Sequence, residues 1–148
     1  MTKRLRSFER SLPMTLLETR EAVMKKFMPS LKKHSLTSQQ WRVIRALEHE
    51  SGLEISTLAV RCHLLTPSLS RIINHLGKEK IIQRQAVDSD QRRSKIFLTE
   101  LGQELFDKVA PASAERYTDI ENKYGVRKLE LLYELLDDLI KTLEEDDA

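Results

Sequence analysis

The chain has 148 residues, enough for one domain with a real core, and its 40% hydrophobic and 32% charged residues describe a soluble, helix-rich protein. No apolar run reaches the ~20 residues of a membrane span, the basic residues 1–6 are not followed by an apolar signal stretch, and the single cysteine, Cys62, permits no internal disulfide, so a cytoplasmic protein is expected. The net charge of +2 hides a division: residues 1–98 carry 19 Lys/Arg against 9 Asp/Glu, whereas residues 99–148 carry 6 against 14, so the first part suits a polyanion and the second repels one.

Residues 1–10 are basic with little apolar periodicity, which predicts a mobile arm or a helix ordered only by a partner. From Leu12 onward, Leu16, Leu17, Val23, Met24, Phe27 and Leu31 recur at spacings that make one apolar helical face. Pro29 should kink that helix or end it near Met28, because proline removes an intrahelical hydrogen bond. Thr37 and Gln40 have the form of a capping box, and Trp41, Ile44 and Leu47 follow on one face until Ser51-Gly52 closes the second helix. A third helix is expected after Ser56 as N-cap, with Leu58 and Ala59 buried and an end near His63. Thr66 suits the cap of a fourth, with Pro67 at its first position. There Leu69, Ile72, Ile73 and Leu76 face inward, which leaves Ser68, Ser70, Arg71, Asn74 and His75 on or near the outward side.

Residues 81–87 and 94–98 are rich enough in β-branched residues for strands, and Asp88-Ser89-Asp90-Gln91-Arg92-Arg93 between them reads as a wing rather than a tight turn. Two short helices joined by a few residues and followed by a basic hairpin describe a winged helix-turn-helix, which sets one helix in the DNA major groove and a loop beside it. The fold class is therefore mostly α with a small β wing. Thr99 caps a fifth helix through Leu105, Phe106, Val109 and Ile120, bent near Pro111 and closed by Tyr124-Gly125. In the last helix Leu129, Leu132, Leu136, Leu139 and Leu143 alternate spacings of three and four, widened by Leu131 and Leu135. Such a stripe on a terminal helix needs another surface, and a second copy of the chain is the natural one. The expectation is one domain over residues 1–148 that forms a two-fold homodimer, with a dimerisation lobe from residues 1–35 and 99–148 and a DNA-binding lobe from 36–98.

These residues resemble the MarR family of bacterial transcription regulators over nearly the whole chain, from about Leu12 to Leu143. The most specific parts are Pro67-Ser68-Leu69-Ser70-Arg71-Ile72, the wing Asp90-Gln91-Arg92-Arg93, and Leu98-Thr99-Glu100-Leu101-Gly102. The stretches Ser11-Leu12-Pro13-Met14-Thr15-Leu16-Leu17-Glu18-Thr19-Arg20 and Leu36-Thr37-Ser38-Gln39-Gln40-Trp41 are similar to the subgroup that represses homoprotocatechuate (3,4-dihydroxyphenylacetate) breakdown operons. The resemblance implies that Arg92 enters the minor groove, held by Asp90, and that Arg93 contacts phosphate. Two departures stand out. Val87 occupies a wing position where the family commonly has an acid, with Asp88 one step later, so a differently shaped wing tip is expected. Lys80 stands where the recognition helix commonly ends in Gly, with Gly77 a turn earlier, so the helix is expected to fray from Gly77.

Arg71, outward and near a helix start, suits bidentate bonds to guanine O6 and N7; a solvated arginine paired with Glu79 is the bland alternative. Thr66, Pro67, Ser68, Ser70 and Asn74 complete the DNA-facing set, with hydroxyls and first-turn amides suited to phosphate. Arg20 lies among apolar residues of the first helix. With Met24, the Thr37 hydroxyl and Trp41 it can form a pocket for a small aromatic carboxylate, although a pair with Glu18 or Glu21 explains it equally. Cys62 reads as a packed thiol, and the four histidines show no metal-type spacing, so neither a metal nor a cofactor is expected. No glycine-rich phosphate loop, nucleophile elbow or acid pair points to an enzyme. The reading is a homodimeric repressor of an aromatic-acid catabolic operon, released from an inverted-repeat operator by a small aromatic carboxylate. The rivals are a regulator of stress or drug-efflux genes with another ligand, and a ligand-independent DNA-binding scaffold.

Overall fold

Ser11 opens the first long helix, its hydroxyl accepting the Met14 N–H at 3.3 Å, and α1 runs Leu12–Lys33. A computed structural model of the chain describes residues 4–87 and 90–147, with the side chains of Asp90, Gln91 and Arg92 also outside that description. The part of the basic arm that is described ends in a short 3-10 turn, Phe8–Arg10. Of the two outcomes expected of Pro29, a kink or an end near Met28, the second does not occur, because Pro29 sits inside α1, which continues to Lys33. Phe27 and Leu31, buried on either side of it, anchor the last turns in the core and offset the missing hydrogen bond.

The capping box forms as the sequence requires. The Gln40 N–H donates to Thr37 Oγ1 at 3.1 Å and the Thr37 N–H to Gln40 Oε1 at 3.0 Å, which starts α2, Ser38–His49. Gly52, at φ 78°, turns the chain into a two-residue strand β1, Leu53–Glu54, that the sequence did not announce. Because β1 leads straight into α3, Ile55–Cys62, the N-cap is Glu54 rather than Ser56. In α4, Thr66–Lys78, the N-cap is likewise one residue earlier than expected, at Leu65, with Thr66 and Pro67 already in the first turn. Neither helix start has a side-chain cap.

Strands β2, Ile82–Val87, and β3, Asp90–Leu98, form with β1 an antiparallel sheet of order β1-β3-β2. Residues 90–93 thus belong to a strand and not to the broad loop expected. The register is regular from Ile82↔Leu98 to Ala86↔Ser94, then shifts to Val87↔Asp90, so among the described residues none is paired with Gln91, Arg92 or Arg93, and β3 is locally irregular or bulged there. The expected effect of Asp88 on the wing tip lies outside the described residues.

Three helices close on a non-glycine residue in the left-handed region: Ser35 at φ 56°, His63 at 51° and Lys80 at 61°. In each the following N–H reaches back across the last turn, Leu36 to Leu31 O, Leu64 to Ala59 O and Ile81 to Leu76 O, at 3.0, 3.0 and 2.9 Å. A second, tighter bond precedes it, as between Lys80 N–H and Gly77 O at 3.1 Å. The left-handed conformation costs a non-glycine residue about 1–2 kcal/mol. The paired bonds and the apolar residue that follows, buried Leu36 or half-buried Leu64 and Ile81, offset it. For this reason α4 does not fray at Gly77 but runs on to Lys78.

Helix α5, Glu100–Tyr124, starts from Thr99 and contains Pro111; α6, Val126–Asp146, follows after Gly125. The chain divides into two compact units, Met1–Pro111 and Ala112–Ala148. The core of the first joins α1 to α5 through Leu31, Ile44, Leu58, Leu69, Ile96 and Val109, each fully shielded from water. Helix α6 in the second buries no residue of its own. No helix among the described residues is long and apolar enough to cross a membrane.

Candidate nucleic-acid interface

The inward and outward faces of α4 divide as the sequence spacing requires. Leu69, Ile73 and Leu76 are buried, while Thr66, Pro67, Arg71, Asn74 and His75 are exposed and Ser68 and Ser70 half-buried. Leu65 at the N-cap carries no side-chain acceptor, so the Thr66 and Ser68 amides of the first turn gain no cap from their own chain. Arg42 fixes the approach to this helix by donating from Nη1 to Cys62 O at 2.9 Å, which ties α2 to the C-terminal end of α3. The Cys62 side chain lies buried beside it, and burial pushes its thiol pKa up against the smaller opposing effect of the Arg42 charge. A shielded, protonated thiol is a poor nucleophile, which fits the packing reading of Cys62.

At the wing, Arg93 is exposed and its Nη2 lies 2.6 Å from Glu54 Oε1. The expected phosphate contact is therefore engaged with a carboxylate that itself occupies the N-cap position of α3. The pair joins the irregular part of β3 to the front of the helix-turn-helix. Both partners are partly exposed, so its contribution to stability is modest, and its effect is on where the wing points. The side chains of Arg92 and Asp90, expected at the minor groove and as its support, lie outside the described residues.

Two residues of this surface were not singled out in the sequence. Glu54 is one; the other is Arg84 on β2. With Ile73, Asn74, Gly77 and Ile82, Arg84 lines a cleft of about 160 Å³ between α4 and β2. The signal was present in the strand period, because Arg84 lies two residues from buried Ile82 and so shares the sheet face on which α4 packs.

The residues expected to hold a small acid differ in exposure. Arg20 and Thr37 are at the surface and Met24 is half-buried. Trp41 is a core residue, 8% exposed, with its ring stacked on Phe106 at 5.5 Å between centroids. The Thr37 oxygen is engaged as the α2 cap acceptor, which leaves its O–H proton to donate. Among the described residues no group of three or more His, Cys, Asp or Glu is gathered as a metal site.

Comparison with known proteins bears on this arrangement. A family model described as "MarR family" matches residues 34–93, which hold α2 through the wing. The homoprotocatechuate degradative operon repressor of Escherichia coli is 36% identical over 130 residues, 88% of each chain. A crystal structure of a transcriptional regulator, 41% identical, covers 88% of this chain and 96% of its own at a TM-score of 0.83. The crystal structure of NadR in complex with 4-hydroxyphenylacetate is 36% identical and covers 93% of this chain and 97% of its own at a TM-score of 0.77. With the helix-turn-helix inside the family model's match and 36% identity to the repressor over 88% of each chain, the chain belongs to the MarR family of transcriptional regulators.

Proposed function

We propose that the protein is a homodimeric repressor that binds an inverted-repeat DNA operator and is released by a small aromatic carboxylate. It would act by binding rather than by catalysis, in the cytoplasm, on genes for aromatic-acid breakdown. The observation that carries the DNA reading is the two-sided α4, with three buried apolar residues behind and Arg71 and Asn74 exposed in front, within residues 1–98, which carry a net charge of +10. In this reading Arg71 addresses base edges, Thr66, Ser68 and Ser70 address phosphates, Asn74 belongs to the same DNA-facing side, and Pro67 shapes the first turn. Arg92, supported by Asp90, enters the minor groove, and Arg93 contacts phosphate or holds the wing through Glu54. Arg71→Ala is expected to lose ~1–3 kcal/mol at the operator and to relax selectivity at one base pair per half-site. A competition assay against single-base variants of the operator checks this, and an unchanged Arg71→Ala profile would remove α4 as the reading helix.

Dimerisation through the terminal segments, residues 1–35 and 99–148, with Leu129, Leu132, Leu136, Leu139 and Leu143 at the seam, is supported by the bare apolar face of α6. The aromatic-acid reading is supported by relatives whose names carry homoprotocatechuate degradation and a 4-hydroxyphenylacetate complex. Arg20 supplies the cation for the carboxylate, Met24 an apolar contact, Thr37 a donor and Trp41 an aromatic wall. Arg20→Ala should bind operator as the wild type does but no longer release it when 4-hydroxyphenylacetate is added. Fluorescence anisotropy of a labelled operator measures this, and release at the wild-type ligand concentration would put the carboxylate anchor elsewhere.

A further inference from the structure

The cleft between α4 and β2 has no assigned role, and its chemistry is specific. Its lining joins two buried apolar residues, Ile73 and Ile82, both 3% exposed, to two exposed polar ones, Asn74 with an amide and Arg84 with a guanidinium. The space beside Gly77 is open, since a Cβ added there would meet no atom within 4 Å. Among the described residues Arg84 has no carboxylate partner. A cation with an amide donor and buried apolar residues around one cleft is a site for an anionic oxygen.

We propose that this cleft seats a backbone phosphate of duplex DNA, held by Arg84 with Asn74 beside it; the proposal rests on the DNA-binding reading above. A helix in the major groove and a hairpin in the adjacent minor groove straddle one sugar-phosphate strand, because that strand is the ridge dividing the two grooves. The ridge must cross the seam between the reading helix and the wing, and the seam between α4 and β2 is this cleft. Arg84 projects from the second residue after the buried anchor Ile82, near the root of the wing, so the cation is set by the sheet and not by a loose loop. A contact of this kind fixes how deeply α4 enters the major groove and carries no base information of its own.

The test uses a duplex selected by the wild-type protein from a randomised pool and a scrambled duplex of the same length, titrated at several salt concentrations. Arg84→Ala should bind both duplexes more weakly by about tenfold for each half-site, as expected for loss of one charge-assisted hydrogen bond in each. Its log–log salt slope should fall by about one for each half-site. Arg84→Lys should keep the slope and recover part of the affinity, and Gly77→Glu, which sets a carboxylate in the cleft, should weaken both duplexes at least as much as Arg84→Ala. The proposal is overturned if Arg84→Ala binds as the wild type does, or if it loses affinity with an unchanged slope and a lowered melting temperature. An altered response to 4-hydroxyphenylacetate at unchanged DNA affinity assigns the cleft to a small acid and overturns it as well. If Arg71→Ala loses discrimination while Arg84→Ala changes nothing, the seam assignment alone fails; if the wild type selects no duplex, the DNA-binding reading fails with it.

Discussion

Replacing Leu132 and Leu136 together by Asp is expected to give a folded monomer whose operator binding is at least ~100-fold weaker than that of the wild type, the scale set by losing one of two linked half-site contacts. The expectation rests on α6. Its 21 residues include none that is buried, Leu129, Leu132, Leu136 and Leu139 are only half-covered, and Leu131, Tyr133, Leu135, Ile140 and Leu143 stand 51–58% exposed. Burying one such leucine fully against a partner is worth about 1.5–3 kcal/mol, so a stripe of five or more leaves the single chain with a large incentive to pair. An Asp at either position reverses that term and adds an unpaired charge at a desolvated seam. The core of the first unit contains no α6 residue, so its fold should survive the change. Sedimentation velocity reads the outcome, and a dimer that persists in the double variant would move the interface away from α6.

How much of this molecule can be read from its sequence depends on which forces set each part. The α2 start was legible because both capping-box partners are local, and the faces of α4 were legible because one helix packed on one core reports its burial through a period of 3.6. Helix ends were less legible. A sequence with four glycines cannot place one at every helix terminus, and here Ser35, His63 and Lys80 take the left-handed position instead. The usable signal was the apolar residue immediately after, Leu36, Leu64 or Ile81, and not the nearest glycine, which drew attention to Gly77. The α1 face misled in another way: Leu12, Leu16, Leu17 and Val23 share its apolar periodicity yet are 41–50% exposed in the single chain. Periodicity records what is buried in the working assembly, so apolar residues at a surface between chains and in a core look the same in sequence. β1 and the Glu54–Arg93 pair were invisible because they join segments about 40 residues apart, and two strand residues carry no period. The two faces of α4 and the burial of Trp41 were legible for one reason: each residue has the spacing of the side it occupies.

Gly102→Ala is expected to destabilise the protein by about 3 kcal/mol, the upper range for forcing an extra carbon into a packed site. For a chain of this length that lowers the melting temperature by roughly 10 °C. A Cβ at Gly102 would lie 2.3 Å from the Ile81 carbonyl oxygen and 2.7 Å from Leu98 Cδ1. The leucine can rotate but the carbonyl cannot, because it accepts the Thr99 N–H at 3.0 Å and the Thr99 Oγ1 hydroxyl lies at 2.9 Å from it. That hydroxyl is also 2.7 Å from Lys80 O and accepts the Gly102 N–H at 3.0 Å, so Thr99 caps α5 and grips the end of α4 at once. Relief of the clash must therefore push the α5 start away from Ile81, the residue whose N–H closes the last turn of α4 on Leu76. Operator affinity should fall along with stability, because the same carbonyls fix the reading helix. Gly77→Ala is the matched control: it adds the same methyl to a helical glycine where no atom lies within 4 Å, and should stabilise by about 0.5–1 kcal/mol through the lower helix cost of alanine. Thermal unfolding of the two variants side by side decides the matter. If Gly102→Ala melts within a degree or so of the wild type, Ile81 and Gly102 do not approach this closely in solution, and the joint between α4 and α5 does not fix the reading helix.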